Sequence, residues 1–146
     1  MADTVGERIM QAVLGAMNAP ADKPATTYRT ALDAFGGKQI PAFVLEATSE
    51  TVERYSADIA KHVRKFRIEC LVRSVNPPVD PVADPLVSYA VQTVMLDESI
   101  GGLAKHLDVT GIEWAGEAAY ENVGIATIDF EVTFYTKADD FTEVWA

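Results

Sequence analysis

The chain holds few of the residues that build reactive sites. Its 146 residues include one cysteine and two histidines. A lone Cys70 cannot close an internal disulfide. Its place in the alternating run Phe66, Ile68, Cys70, Val72 reads as a small buried hydrophobe, compatible with a reducing compartment. His62 and His106 lie far apart, in neither an H-x3-H nor an H-E-x-x-H setting, so they are expected at the surface rather than on a metal. Asp139-Asp140 lacks the spacing and the glycine of a calcium loop. Ser49, Ser56, Ser74, Ser88 and Ser99 have no G-x-S-x-G elbow around them. The pairs Gly36-Gly37 and Gly101-Gly102 match neither a phosphate loop nor a dinucleotide fingerprint and read as backbone punctuation. No catalytic residue, metal ligand or cofactor is assigned, and an enzymatic role is not expected.

Long apolar runs are also missing. None approaches the roughly 20 residues that a membrane helix needs, and MADTVGERIM has no basic cluster ahead of an apolar core, so it does not read as a secretory signal. What remains fits one globular domain, with 49% hydrophobic and 23% charged residues. The net charge is −10, and it is unevenly placed. Residues 1–75 carry 10 Lys/Arg against 9 Asp/Glu, whereas residues 76–146 carry 2 against 13. A chain this acidic is not expected to bind a nucleic-acid backbone over a broad face. The asymmetry would allow a basic patch on one copy to meet an acidic patch on another.

Asp3-Thr4 can cap a helix running to about Met17, with Val5, Ile9, Ala12 or Val13, and Ala16 or Met17 on one face. Residues 18–27, with Pro20 and Pro24, read as a loop, Tyr28–Leu32 as a short strand, Gly36-Gly37 as a turn, and 40–48 as a strand with Pro41 near its start. Residues 51–62 fit helix or strand, with a strand pairing to 63–73 preferred. The segment 63–73 alternates, with Phe66, Ile68, Cys70 and Val72 on one side. Prolines at 77, 78, 81 and 85 suggest an extended connector. Asp84-Pro85 then suggests the start of a helix to about Ser99. Strands follow at 108–118 and 122–136; in the second, Ile128, Phe130, Val132 and Phe134 oppose Thr127, Asp129, Glu131 and Thr133. The expected fold is α+β: a mainly antiparallel sheet with two principal helices packed on one face, and the other face polar and charged.

Candidate contact residues come from charge and aromaticity. On a strand, Lys65, Arg67 and Arg73 share one face while Arg64 takes the other. That basic face could receive Asp129 and Glu131 from the outer face of a partner's strand. Residues 138–146 form an acidic tail beyond the 1–137 domain. Its Phe141 and Trp145 either pack back on the domain or anchor a partner.

The order of these signals is similar to that of tail terminator (tail completion) proteins of long-tailed bacteriophages, of the lambda minor tail protein U type. The resemblance covers roughly residues 3–137. It rests on the capped first helix, the proline-containing strand with Ile40-Pro41-Ala42 and Leu45-Glu46, and the basic strand Arg67–Arg73. Asp84-Pro85-Leu86, the segment Asp97-Glu98-Ser99-Ile100-Gly101-Gly102-Leu103 and the closing Phe134-Tyr135-Thr136 complete it. The resemblance implies a structural, non-enzymatic virion protein: a hexameric homo-oligomeric ring at the head-proximal end of the tail tube. Such a ring stops tube polymerisation and offers a surface for head-tail joining. The implied partners are further copies of the chain, the tail tube protein and a head-completion or connector protein, with no nucleic acid and no membrane. The implied location is the virion tail, assembled in the bacterial host cytoplasm. Two alternatives stand beside it: a ligand-binding domain or enzyme with a pocket between helix 84–98 and the sheet, and another head-tail joining (neck) subunit.

Overall fold

The computed structural model describes residues 2–30, 40–73, 79–115 and 123–145. Helix α1 spans Val5–Asn18, where the Thr4 hydroxyl accepts the Glu7 backbone N–H at 3.1 Å and so satisfies one orphan donor of the first turn. Val5, Ile9, Met10, Val13 and Met17 form its buried stripe. Strand β1, Thr26–Tyr28, follows after a seven-residue connection. The Asn18 side chain accepts from the Thr27 N–H at 2.8 Å and donates to the Thr27 C=O at 3.0 Å. The amide thus supplies β1 with the pairing a neighbouring strand would give.

The remaining elements are β2 (Ala42–Arg54), β3 (Ile59–Arg73), helix α2 (Asp80–Met95), β4 (His106–Ala115), β5 (Val123–Lys137) and β6 (Asp140–Val144). The sheet runs β1-β2-β3-β5-β4, with β6 also on β5. Only β1–β2 is parallel among these pairings. Since β3 occupies one edge of β5 from Val123 to Lys137, β4 and β6 share the other edge end to end.

Both helices lie on one face, as an α+β fold requires. Their apolar stripes (Ile9, Val13 and Met17; Leu86, Ala90 and Val94) meet Phe43, Leu45, Phe66, Ile68, Cys70, Ile128, Phe130 and Phe134 of the sheet. Phe66 and Phe130, opposite each other across β3 and β5, stack at 5.0 Å. The Tyr89 hydroxyl donates to the Met17 C=O at 2.9 Å and ties α2 to the end of α1. The opposite face is mostly charged, but near β1 it buries a second small apolar cluster of Ala42, Val44, Leu71 and Val123.

Several boundaries differ from the sequence expectation. Helix α2 begins at Asp80, with Pro81 in its first turn, so Asp84 and Pro85 lie inside it; it ends at Met95, short of Ser99. Residues 80–83 are therefore helix rather than connector. Strand β2 continues through Arg54, turns at 55–58 and pairs back with Ala60. The short strand expected at 28–32 is instead 26–28. Residues 31–32, the Gly36-Gly37 turn, the connector at 76–78 and the strand ends at 116–118 and 122 lie outside the described residues.

Candidate functional site

The polar sheet face brings together most of the residues singled out by charge. Along β3, Lys65, Arg67, Glu69 and Arg73 point to this face by the two-residue period of a strand. Their neighbours are not those expected. Lys65 lies directly across from Glu131 and Arg67 directly across from Asp129, both on β5 of the same chain. Charges that the sequence suggested would meet between copies thus face each other inside one sheet. Arg67 is further held by Glu46 of β2, its Nε donating to Oε1 at 2.7 Å, and lies 3.6 Å from Glu69. Arg73, opposite Val123, is exposed at the end of β3.

The carboxyls in this cluster respond in opposite directions. Burial pushes Glu69 up, and its hydrogen bond with Glu46 adds to that against the pull of Arg67. Burial also acts upward on Glu46, but the hydrogen bond from Arg67 and the other contacts together hold it below the ordinary value.

A second cluster lies on the helix side of the same strands. His62 is 1% exposed, not at the surface as its sequence setting implied. Its Nδ1 is 3.0 Å from Glu50 Oε2 and its Nε2 is 2.8 Å from the Thr136 hydroxyl. Glu50 also accepts from Arg64 Nε at 2.6 Å. Arg64 in turn lies against α1 at Gly6, where an added Cβ would come within 2.5 Å of the guanidinium. The imidazole ring stacks on Phe134 at 4.6 Å and meets the edge of Phe141 at 4.5 Å.

A hydroxyl, an imidazole and a carboxylate in this order have the connectivity of a nucleophile, a base and its orienting acid. The surroundings give the same groups a structural use. Thr136 is 0% exposed and its hydroxyl donates to the Lys137 C=O at 2.9 Å. Neither His62 nor Thr136 lines the cavities found at α1–α2 or at the strand ends. The cluster ties β2, β3, β5 and β6 together. The alternation of β3 placed His62 on the apolar side; the sequence held no sign that Phe141 would cover it.

The C-terminal aromatics pack on the domain and stay partly open. Phe141, on β6, covers His62, while Tyr135 is met by Trp145 at 5.9 Å and by Tyr55 at 5.3 Å. Arg8 of α1 donates to the Thr142 C=O at 3.0 Å and Lys137 lies 2.8 Å from Glu143, so β6 is also held by charge.

The segment 97–103 forms a self-contained loop. Asp97 accepts from the Ser99 N–H at 3.1 Å, the Ser99 hydroxyl at 2.6 Å and the Gly101 N–H at 2.8 Å. The Ser99 hydroxyl, followed by these backbone donors, holds the Asp97 carboxyl below its ordinary value. Ile100, Gly101 and Gly102 take φ of 49°, 66° and 86°, a left-handed stretch that needs glycine at most of its positions. The residue pattern is accounted for by this turn.

Among the described residues no cluster of three or more His, Cys, Asp or Glu is arranged to hold a metal. Burial pushes the Cys70 thiol up to about 12, where no reactive thiolate forms. The contact between α2 and the sheet is filled by Ala83, Leu86, Val87, Ala90 and Val94, where the alternative reading would place a pocket. No helix among the described residues is long and apolar enough to cross a membrane. Compared with known proteins, the chain matches no family model, and no curated protein matches it significantly.

Proposed function

We propose that this chain is a structural assembly subunit of tail terminator type: copies form a ring on the head-proximal end of a phage tail tube, stop its growth and present a surface to a head-completion or connector protein. The observation that carries the reading is a two-faced sheet. One face is sealed by both helices; the other spreads Glu46, Lys65, Arg67, Glu69, Asp129 and Glu131 over three adjacent strands. A broad charged sheet surface suits contact with other protein surfaces better than capture of a small molecule. The order of sequence signals that resembles tail terminators supports the same reading.

In a ring, one patch meets a different patch on the next copy. Arg67 is engaged within the chain by Glu46 and Glu69, whereas Lys65 and Arg73 are exposed and Phe141 and Trp145 partly so, and these side chains can reach a neighbour. Aromatic anchors of this kind dominate interface energetics. The test is electron microscopy of isolated tail tubes incubated with gold-labelled protein. Label at one end only, the end that joins the head, is expected. Label along the tube wall, or none, would reject the terminator reading.

A further inference from the structure

Charge is sparse on one surface among the described residues. The two longest stretches without Asp, Glu, Lys or Arg are Ile9–Ala21 and Pro85–Leu96, 13 and 12 residues in a chain where 23% of residues are charged. These stretches coincide with most of α1 and α2, which pack side by side. A helix facing water normally carries charge on its outer face. Within the two stretches the outward residues include Ala12, Ala16, Ala19, Ser88, Gln92 and Leu96, and the exposed charges Arg8, Asp84 and Asp97 stand only at their ends. Leu96 is 88% exposed, more than any other large hydrophobic residue among those described. It stands on the rim of an open groove of about 550 Å³ lined by Ala16, Ala19, Pro20, Tyr89 and Thr93.

We propose that this helix layer is an interface between two copies of the chain, each inserting Leu96 into the groove of the other. Three observations select a second copy. The groove calls for an apolar knob from an uncharged surface, and the chain supplies such a knob beside it. Knob and groove adjoin on one patch, the arrangement that a two-fold contact between identical chains requires. At −10 per copy, two chains repel least when they approach through the surface poorest in charge, and charge depletion marks the core of protein interfaces.

The size of the patch sets the strength. Helices of 14 and 16 residues are about 21 and 24 Å long and pack about 8–10 Å apart, so the layer offers roughly 400 Å² per copy. Two such faces bury roughly 800 Å², below the ~1,200 Å² of a standard stable interface. The pairing is therefore weak and concentration-dependent. It is isologous, does not rest on the ring reading, and uses the face opposite the charged sheet surface.

The test is light scattering on the full chain over a wide concentration range, with Leu96→Glu and Ala16→Glu as variants. Both sites are exposed, so thermal melting should match the parent. The parent is expected to move from 15.8 kDa toward twice that mass, and both variants to remain single chains at the highest concentration. A parent that stays a single chain throughout would overturn the pairing. So would a folded variant of either kind that keeps the parent's mass curve. A six-fold assembly unchanged by both substitutions would overturn the pairing while leaving the ring reading intact.

Discussion

Glu46 and Glu69 show how one residue type acquires opposite behaviour on the same sheet face. Both lie beside Arg67, but Glu46 takes the direct hydrogen bonds from the guanidinium. Glu69, 3.6 Å from Arg67, is left with burial and a carboxyl neighbour. A raised carboxyl value means that the folded chain holds the proton more tightly than the unfolded one. The stabilising share of Glu69 is therefore full below the ordinary value and is lost as pH rises through the folded value. For Glu46, whose value is lowered, the share is present above the ordinary value and is lost on acidification. Replacing Glu69 with Gln removes the first effect and keeps the second. Urea unfolding at neutral pH should show a gain of less than about 1 kcal/mol, small because the site is partly open to solvent. The decline in stability just above the ordinary carboxylate value should flatten. A Glu69→Gln protein whose stability follows pH as the parent's does would contradict this account. Cys70 makes the complementary point. Its place in an alternating apolar run announced burial, and burial is the first cause of its unreactive thiol.

At the scale of elements, β6 depends on His62. The strand is short and pairs with β5 only from Thr136 and Lys137, across a register shift. Phe141 on His62 therefore supplies much of its docking. Replacing His62 with Ala leaves a void and strips Glu50 and Thr136 of a partner, at a cost of about 2–4 kcal/mol. Hydrogen exchange should quicken in Phe141–Val144 more than in β4, which pairs along the same edge of β5. Equal change in both strands would show that His62 does not hold β6. Elements with strong local periodicity were legible from sequence: β3 and β5 alternate cleanly because one face is buried and one is not, and α1 announces its cap and its stripe. The start of α2 was not, because Asp-Pro occurs at both 80–81 and 84–85, and the same start signal is offered twice. Burial of Val79 and Ala83 selects the earlier one. Strand β1 was expected at 28–32 rather than 26–28, since its three residues are placed by the Asn18 amide and by parallel pairing with β2 rather than by their own pattern. The burial of His62 was equally hidden, because its cover comes from the far end of the chain.

At the scale of the whole molecule, folding rearranges the charge. The sequence divides into a balanced first half and a strongly acidic second half, yet β3 and β5, drawn from the two halves, pair along their full length. Lys65 and Arg67 of the first half lie across from Glu131 and Asp129 of the second on one face, so part of the asymmetry along the chain is evened out in space. The proposed contact between copies would then draw less on attraction between opposite patches and more on the charge-poor helix layer and the aromatic edge at Phe141 and Trp145. The legible part of the candidate site was its composition: Lys65, Arg67, Asp129 and Glu131 do share one face, while their pairing inside a single chain required the strand order, which no local pattern encodes. The central claim is that the chain acts by capping a tube rather than by catalysis, and the most direct measurement is the length of tubes grown from purified tail tube protein with and without it. The account predicts that added chain shortens the tubes as its ratio to tube protein rises, with growth stopped at one end; tubes of unchanged length in the presence of excess folded chain would contradict it.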